Sequence, residues 1–145
     1  MRIIHMLALA AFALPTLVAC NEAAEKPQLE APKTPIKTVT IPEVAQMIEK
    51  HEAVIIDANG DKTRKEMGVI PTAVMLSDHE KYSMIELPPN KTQKLVFYCG
   101  SLQCGASHVA AERAIEAGYS DVAVLPDGIK GWKQAGQATT PAPQS

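Results

Sequence analysis

Three short runs of this chain are apolar without interruption: Val54-Ile55-Ile56, Leu95-Val96-Phe97-Tyr98 and Val122-Ala123-Val124-Leu125. A strand with one wet face alternates apolar and polar residues. An unbroken run suits a strand covered on both faces, as in a parallel sheet sandwiched by helices. The segments between the runs carry helix signals. Thr40-Ile41-Pro42-Glu43 has the form of a capping box with an early proline, and Val44, Met47 and Ile48 continue it as one helical face. Ala106, Ala110, Ala114 and Ala117 recur at helical spacing, flanked by Ala111 and Ile115, with Gly118 placed to end the helix. A short strand at 36–39 and another at 74–76, after the Pro71 turn, bring the total to five. The turn Pro126-Asp127-Gly128 leads into a short helix carrying Trp132. The fold class is therefore α/β, a five-stranded parallel sheet with helices on both faces. Residues 58–64, with Asn59-Gly60-Asp61, read as a polar loop. Residues 77–94, broken at Pro88-Pro89-Asn90, show no clear period.

Chemistry concentrates where the run 95–98 stops. Cys99 follows it directly, then Gly100, Ser101, Leu102, Gln103, Cys104 and Gly105, and the helical pattern begins at Ala106. In α/β sheets the crevice beyond the carboxyl ends of the strands is the usual reaction site, and a helix N-terminus there supplies unpaired N–H groups and partial positive charge. A thiol in that field ionises readily, so Cys99 reads as a nucleophile; the alternative is an inert core cysteine ending a strand.

The N-terminal 19 residues read as an export signal: Arg2 is followed by a mostly apolar stretch to Val18, interrupted by His5, Pro15 and Thr16. Leu17-Val18-Ala19-Cys20 resembles the lipobox of bacterial lipoproteins, which implies acylation of Cys20 and a membrane partner through that lipid. Residues 20–35 then form a flexible tether rich in Ala, Glu, Lys and Pro, residues 36–136 the folded domain, and residues 137–145 a disordered tail. The expected location is the cell envelope, facing the periplasm or the outside. With Cys20 lipidated, Cys99 and Cys104 remain for redox chemistry, in a compartment that tends to oxidise such a pair. A net charge of −2 and 4% aromatic residues argue against a nucleic-acid partner.

Five segments in register resemble a rhodanese-like domain. They are Val54-Ile55-Ile56-Asp57; Gly68-Val69-Ile70-Pro71-Thr72-Ala73, where that family has Gly-His-Ile-Pro-Gly-Ala; Val96-Phe97-Tyr98-Cys99; Gly118-Tyr119-Ser120-Asp121-Val122; and Asp127-Gly128-Ile129-Lys130-Gly131-Trp132. The resemblance implies a five-stranded parallel α/β fold and a six-residue active loop, 99–104. It also implies that Cys99 accepts a sulfane sulfur from a donor such as thiosulfate or a thiol persulfide, holds it as a persulfide and passes it to a thiophilic acceptor. No metal and no cofactor are expected. The partners implied are a small sulfur compound and a thiol acceptor or reductant protein.

The chain departs from the pattern in four places. Asn59 stands where an Arg often pairs with the strand-end Asp, Val69 replaces His, and Thr72 replaces Gly; some lost stability is expected. The active loop holds no Arg or Lys, so weak affinity for dianionic thiosulfate is expected. Gly105 occupies the position where the phosphatases and arsenate reductases of this fold require Arg. Cys104 has three readings: a resolving thiol for Cys99, an apolar filler, or a soft-metal ligand together with Cys99 and His108. The leading function is a membrane-anchored sulfurtransferase. The alternatives are a dithiol redox module using Cys99 and Cys104, or a non-catalytic binding domain.

Overall fold

The computed structural model describes residues 35–142; the expected export signal, Cys20, all of the tether but Pro35, and the last three residues lie outside that range. Five parallel strands form one sheet in the order β1-β5-β4-β2-β3. They are β1 (Lys37–Thr38), β2 (Val54–Asp57), β3 (Val74–Met75), β4 (Leu95–Tyr98) and β5 (Val122–Leu125). The central strand β4 pairs with β2 on one side, Asp57 opposite Tyr98, and with β5 on the other, Leu125 opposite Tyr98. All three uninterrupted apolar runs are thus strands, and the reason is visible in the two cores. Ile56, Leu95, Phe97, Val122 and Val124 point to one face, while Ile55, Val96, Tyr98, Ala123 and Leu125 point to the other. Helices close both faces, so neither set reaches water.

The helices are α1 (Ile41–Glu49), α2 (Asp61–Met67), α3 (Ala106–Glu116) and α4 (Gly128–Gln134). On α1 the capping box forms as expected, with the Thr40 N–H donating to Glu43 Oε2 at 2.7 Å. On α3 the buried stripe is Ser107, Ala110, Ala111 and Ala114, whose small side chains let the helix lie close on the sheet. Gly118, at φ 94°, ends α3, with its N–H donating to the Ile115 carbonyl and that of Tyr119 to Ala114.

Three expectations are corrected. Residues 61–64, read as part of the polar loop 58–64, instead open helix α2; Asp-Lys-Thr-Arg-Lys-Glu-Met shows no apolar period because its one buried side chain is an arginine. That residue, Arg64, also supplies the ion pair that Asn59 was expected to forfeit. Its Nε lies 3.4 Å from Asp57 Oδ2, and its Nη2 donates to the Asp57 and Leu76 carbonyls at 3.1 and 2.8 Å. Asn59 instead donates its backbone and side-chain N–H to Asp57 Oδ1, and Tyr98 Oη donates to Oδ2. The Asp57 carboxylate is therefore fully engaged without an arginine at position 59. Third, the expected disordered tail from 137 is tied down at least to Thr140. Thr140 and Val69 exchange two backbone hydrogen bonds of 2.9 and 3.0 Å, and Trp132 Nε1 donates to the Ala138 carbonyl.

Candidate active site

The carboxyl edge of the sheet gathers the ends of β2, β4 and β5, and the segment 99–105 leaves β4 there before α3 begins. Its backbone is clamped from the α4 side. The Ile129 N–H donates to the Cys99 carbonyl at 2.9 Å and the Lys130 N–H to the Gly100 carbonyl at 3.0 Å. Gly128 permits this approach: its φ is 59°, and a Cβ there would lie 2.4 Å from the Cys99 oxygen. Within the loop, the Cys104 N–H donates to the Ser101 carbonyl at 2.9 Å, folding 101–104 into a turn that brings Cys104 back over Cys99.

The two thiols meet but occupy different environments. Cys99 is 1% exposed. Its Sγ lies 3.0 Å from the Cys104 carbonyl oxygen, as S–H donor, and 3.3 Å from Ser107 Oγ. Burial pushes the Cys99 thiol up, the neighbouring Cys104 thiol pushes it further, and the Ser107 hydroxyl and amide only partly oppose them. Cys104 is partly exposed. Burial also disfavours its anion, but hydrogen bonding from the Cys99 thiol and from the amides of Gly100, Ala106 and Ser101 outweighs that and leaves it below the ordinary cysteine range. Both thiols are free.

Gly105 precedes α3 as its N-cap, and Leu102, 74% exposed, stands at the loop tip. Ser101, Leu102 and Gln103 line a groove of about 220 Å³ together with Asp127, Lys130, Gly131 and Gln134 of the α4 region. A larger cavity of about 600 Å³, between α2, the end of α4 and residues 139–142, shares no residue with the loop. His108 points to solvent from α3. Among the described residues, no group of three His, Cys, Asp or Glu side chains is arranged to hold a metal ion. Ser107 is the contact that sequence reasoning passed over. Its signal was its position three and four residues before Ala110 and Ala111, on the buried stripe of α3 and facing the strand end.

The sequence profile of the rhodanese-like domain family matches residues 40–135. Among solved structures, a thiosulfate sulfurtransferase from Pseudomonas aeruginosa superposes with a TM-score of 0.59 at 25% identity, over 71% of this chain and only 20% of that one. The human single-domain sulfurtransferase gives 0.56 at 18% identity, over 69% of this chain and 97% of its own. A Rhodopseudomonas palustris protein of unknown function, described as a possible tyrosine phosphatase, gives 0.60 at 22%, over 72% and 85%. No curated protein matches the chain.

Proposed function

The chain belongs to the rhodanese-like domain family, and from that premise we propose that it is a sulfurtransferase carrying sulfane sulfur as a cysteine persulfide within the loop 99–104. The carrying observation is the pair of free thiols at the carboxyl edge of β4, in a loop whose amides favour negative charge on sulfur. Strand-end Cys99 is the position that the family pattern assigns to the carrier. In the first half-reaction a loop thiolate attacks the outer sulfur of a donor R–S–SH, forming enzyme–S–SH and releasing RS⁻. In the second, an acceptor thiolate attacks the outer sulfur of the enzyme persulfide and regenerates the loop thiolate. Both steps exchange one S–S bond for another, so neither consumes a reductant.

A thiol persulfide is the preferred donor in this reading. Thiosulfate is a dianion, the loop 99–105 contains no Arg or Lys, and the Lys130 cation in the adjoining groove is accompanied by the Asp127 carboxylate. The full-length protein, reduced and exposed to glutathione persulfide or to thiosulfate, is expected to gain one sulfur atom by intact mass. The kcat/KM with glutathione persulfide is expected to exceed that with thiosulfate by at least about tenfold, the loss of roughly one charge-assisted contact. Equal efficiencies would sink the donor assignment, and no sulfur gain from either donor would sink the sulfurtransferase reading.

The adjacency of Cys99 and Cys104 favours a second reading, a dithiol that exchanges with a partner disulfide. Loss of two hydrogens without added sulfur is its signature in the same spectra. We also place the protein in the cell envelope, tethered by lipid at Cys20, on the strength of the sequence 1–20. Transfer of a Cys20→Ala variant from the membrane to the soluble fraction tests that placement.

A further inference from the structure

We propose that the groove beside the reactive loop is a headgroup site for free cysteine persulfide, in which Lys130 takes the donor's α-carboxylate and Asp127 its α-ammonium. The inference rests on the sulfurtransferase reading and names the donor that the same site selects.

Three observations converge. The first is charge. Asp127 and Lys130, three positions apart, line the groove with opposite formal charges. Among the described residues neither forms an ion pair, not even with the other. Two uncommitted charges of opposite sign on one wall match a ligand that is itself dipolar, and an α-amino acid carries its carboxylate and its ammonium on a single carbon. A dianion such as thiosulfate loses beside Asp127 what it gains beside Lys130.

The second is shape. Gly131 lines the groove from within α4. A Cβ there would lie 2.5 Å from Asp127 Cβ, so the missing side chain is what lets Asp127 pack against the helix at this point. The groove measures about 220 Å³. That is below the roughly 300–1,000 Å³ of sites that enclose drug-sized ligands, so it holds one amino-acid unit and not a tripeptide.

The third is register. The Lys130 N–H donates to the Gly100 carbonyl at 3.0 Å and the Ile129 N–H to the Cys99 carbonyl at 2.9 Å, which fixes the helix bearing Lys130 against the first two residues of the loop. Ser101, Leu102 and Gln103 of that loop form the facing wall. In cysteine persulfide, only one carbon and the inner sulfur separate the doubly charged carbon from the outer sulfur. A headgroup held on α4 therefore presents the outer sulfur to the loop. In glutathione persulfide the equivalent carbon bears neither charge, because its nitrogen and its carbonyl are both in peptide bonds. The loading exchange is unchanged: the loop thiolate bonds to the outer sulfur, the donor S–S bond breaks, and the cysteine thiolate leaves with the electron pair.

The test loads the full-length protein, Lys130→Met and Asp127→Asn with the persulfides of cysteine, N-acetylcysteine, which lacks the ammonium, cysteamine, which lacks the carboxylate, and glutathione. Sulfur gain is followed by intact mass to give kcat/KM. Donors also differ in the acidity of the leaving thiol, so each variant is compared with the wild type donor by donor. Lys130→Met is expected to lose at least about threefold more with the two carboxylate donors, cysteine and N-acetylcysteine, than with cysteamine. Asp127→Asn is expected to lose at least about threefold more with the two ammonium donors, cysteine and cysteamine, than with N-acetylcysteine. A variant that merely folds less well lowers all donors alike and leaves these ratios at one. Equal losses across the three donors in either variant, or a wild type that uses glutathione persulfide as efficiently as cysteine persulfide, overturn the inference and leave the sulfurtransferase reading intact. A wild type that gains no sulfur from any donor removes both.

Discussion

Gly128 ties the fold to the reactive loop, and Gly128→Ala shows how strongly. Two effects act on the new methyl group. The residue has φ 59°, a region costing an L-residue about 1–2 kcal/mol. The Cβ would also lie 2.4 Å from the Cys99 oxygen, 2.9 Å from Gly100 C and 2.9 Å from Ser101 N, all backbone atoms that no rotamer change can move aside. Relief requires α4 and the loop to separate, weakening the bonds Ile129 N–H to Cys99 O and Lys130 N–H to Gly100 O, at about 0.5–1.5 kcal/mol each. The total is about 2–5 kcal/mol, a large share of the stability of a domain this size. Gly136→Ala is the internal control. Its φ is 75°, but nothing lies within 4 Å of the added Cβ, so only the conformational cost of about 1–2 kcal/mol applies. Urea unfolding with linear extrapolation measures both. If Gly128→Ala costs no more than Gly136→Ala, the close approach of α4 to the loop does not constrain the loop, and the reasoning fails.

Arg64→Met is expected to destabilise by about 3–5 kcal/mol, because it strands the buried Asp57 carboxylate and removes the donor to two carbonyls; a loss under about 1 kcal/mol in urea unfolding would refute the pairing. Thr72→Gly is expected to stabilise by roughly 0.5–1 kcal/mol, since a β-branched residue there holds φ 68°; a lower midpoint for the variant counts against it. Stability is also expected to fall in alkali. Burial, partly offset by Arg113, pushes the Tyr82 hydroxyl from 10.0 up to about 12, and burial followed by the Asp57 carboxylate raises Tyr98 too. Their folded pKa values exceed the unfolded ones, so this stabilisation is complete below the unfolded value and is lost as pH rises from 10.0 through about 12. A urea midpoint level across that window contradicts it.

The elements legible in the sequence are those whose side chains answer to one local rule. β4 and β5 read correctly because each of their residues is buried on one face or the other, so no polar position interrupts the run. The Thr40–Glu43 cap and the alanine stripe of α3 are likewise local patterns. Helix α2 was not legible: it is seven residues long, and its fold-facing side chain is Arg64, which a periodicity search counts as polar. Its partners, Asp57 and the Leu76 carbonyl, lie 7 and 12 positions away in sequence. The anchoring of Thr140 to Val69 escaped notice for the same reason, since a polar tail gives no sign of the edge it will pair with.

The sequence by itself determined the parallel α/β architecture, the family resemblance and the placement of Cys99 at a strand end and Cys104 before a helix. Those are consequences of short-range hydrophobic pattern and spacing. Only the tertiary structure decided how the two thiols differ. Which sulfur is sealed under Ser107 and which keeps solvent access depends on how the turn 101–104 folds back and how α4 clamps the Cys99 and Gly100 carbonyls. Thiol acidity is set by desolvation and hydrogen bonding in three dimensions, and neither is encoded in the separation of two cysteines along a chain.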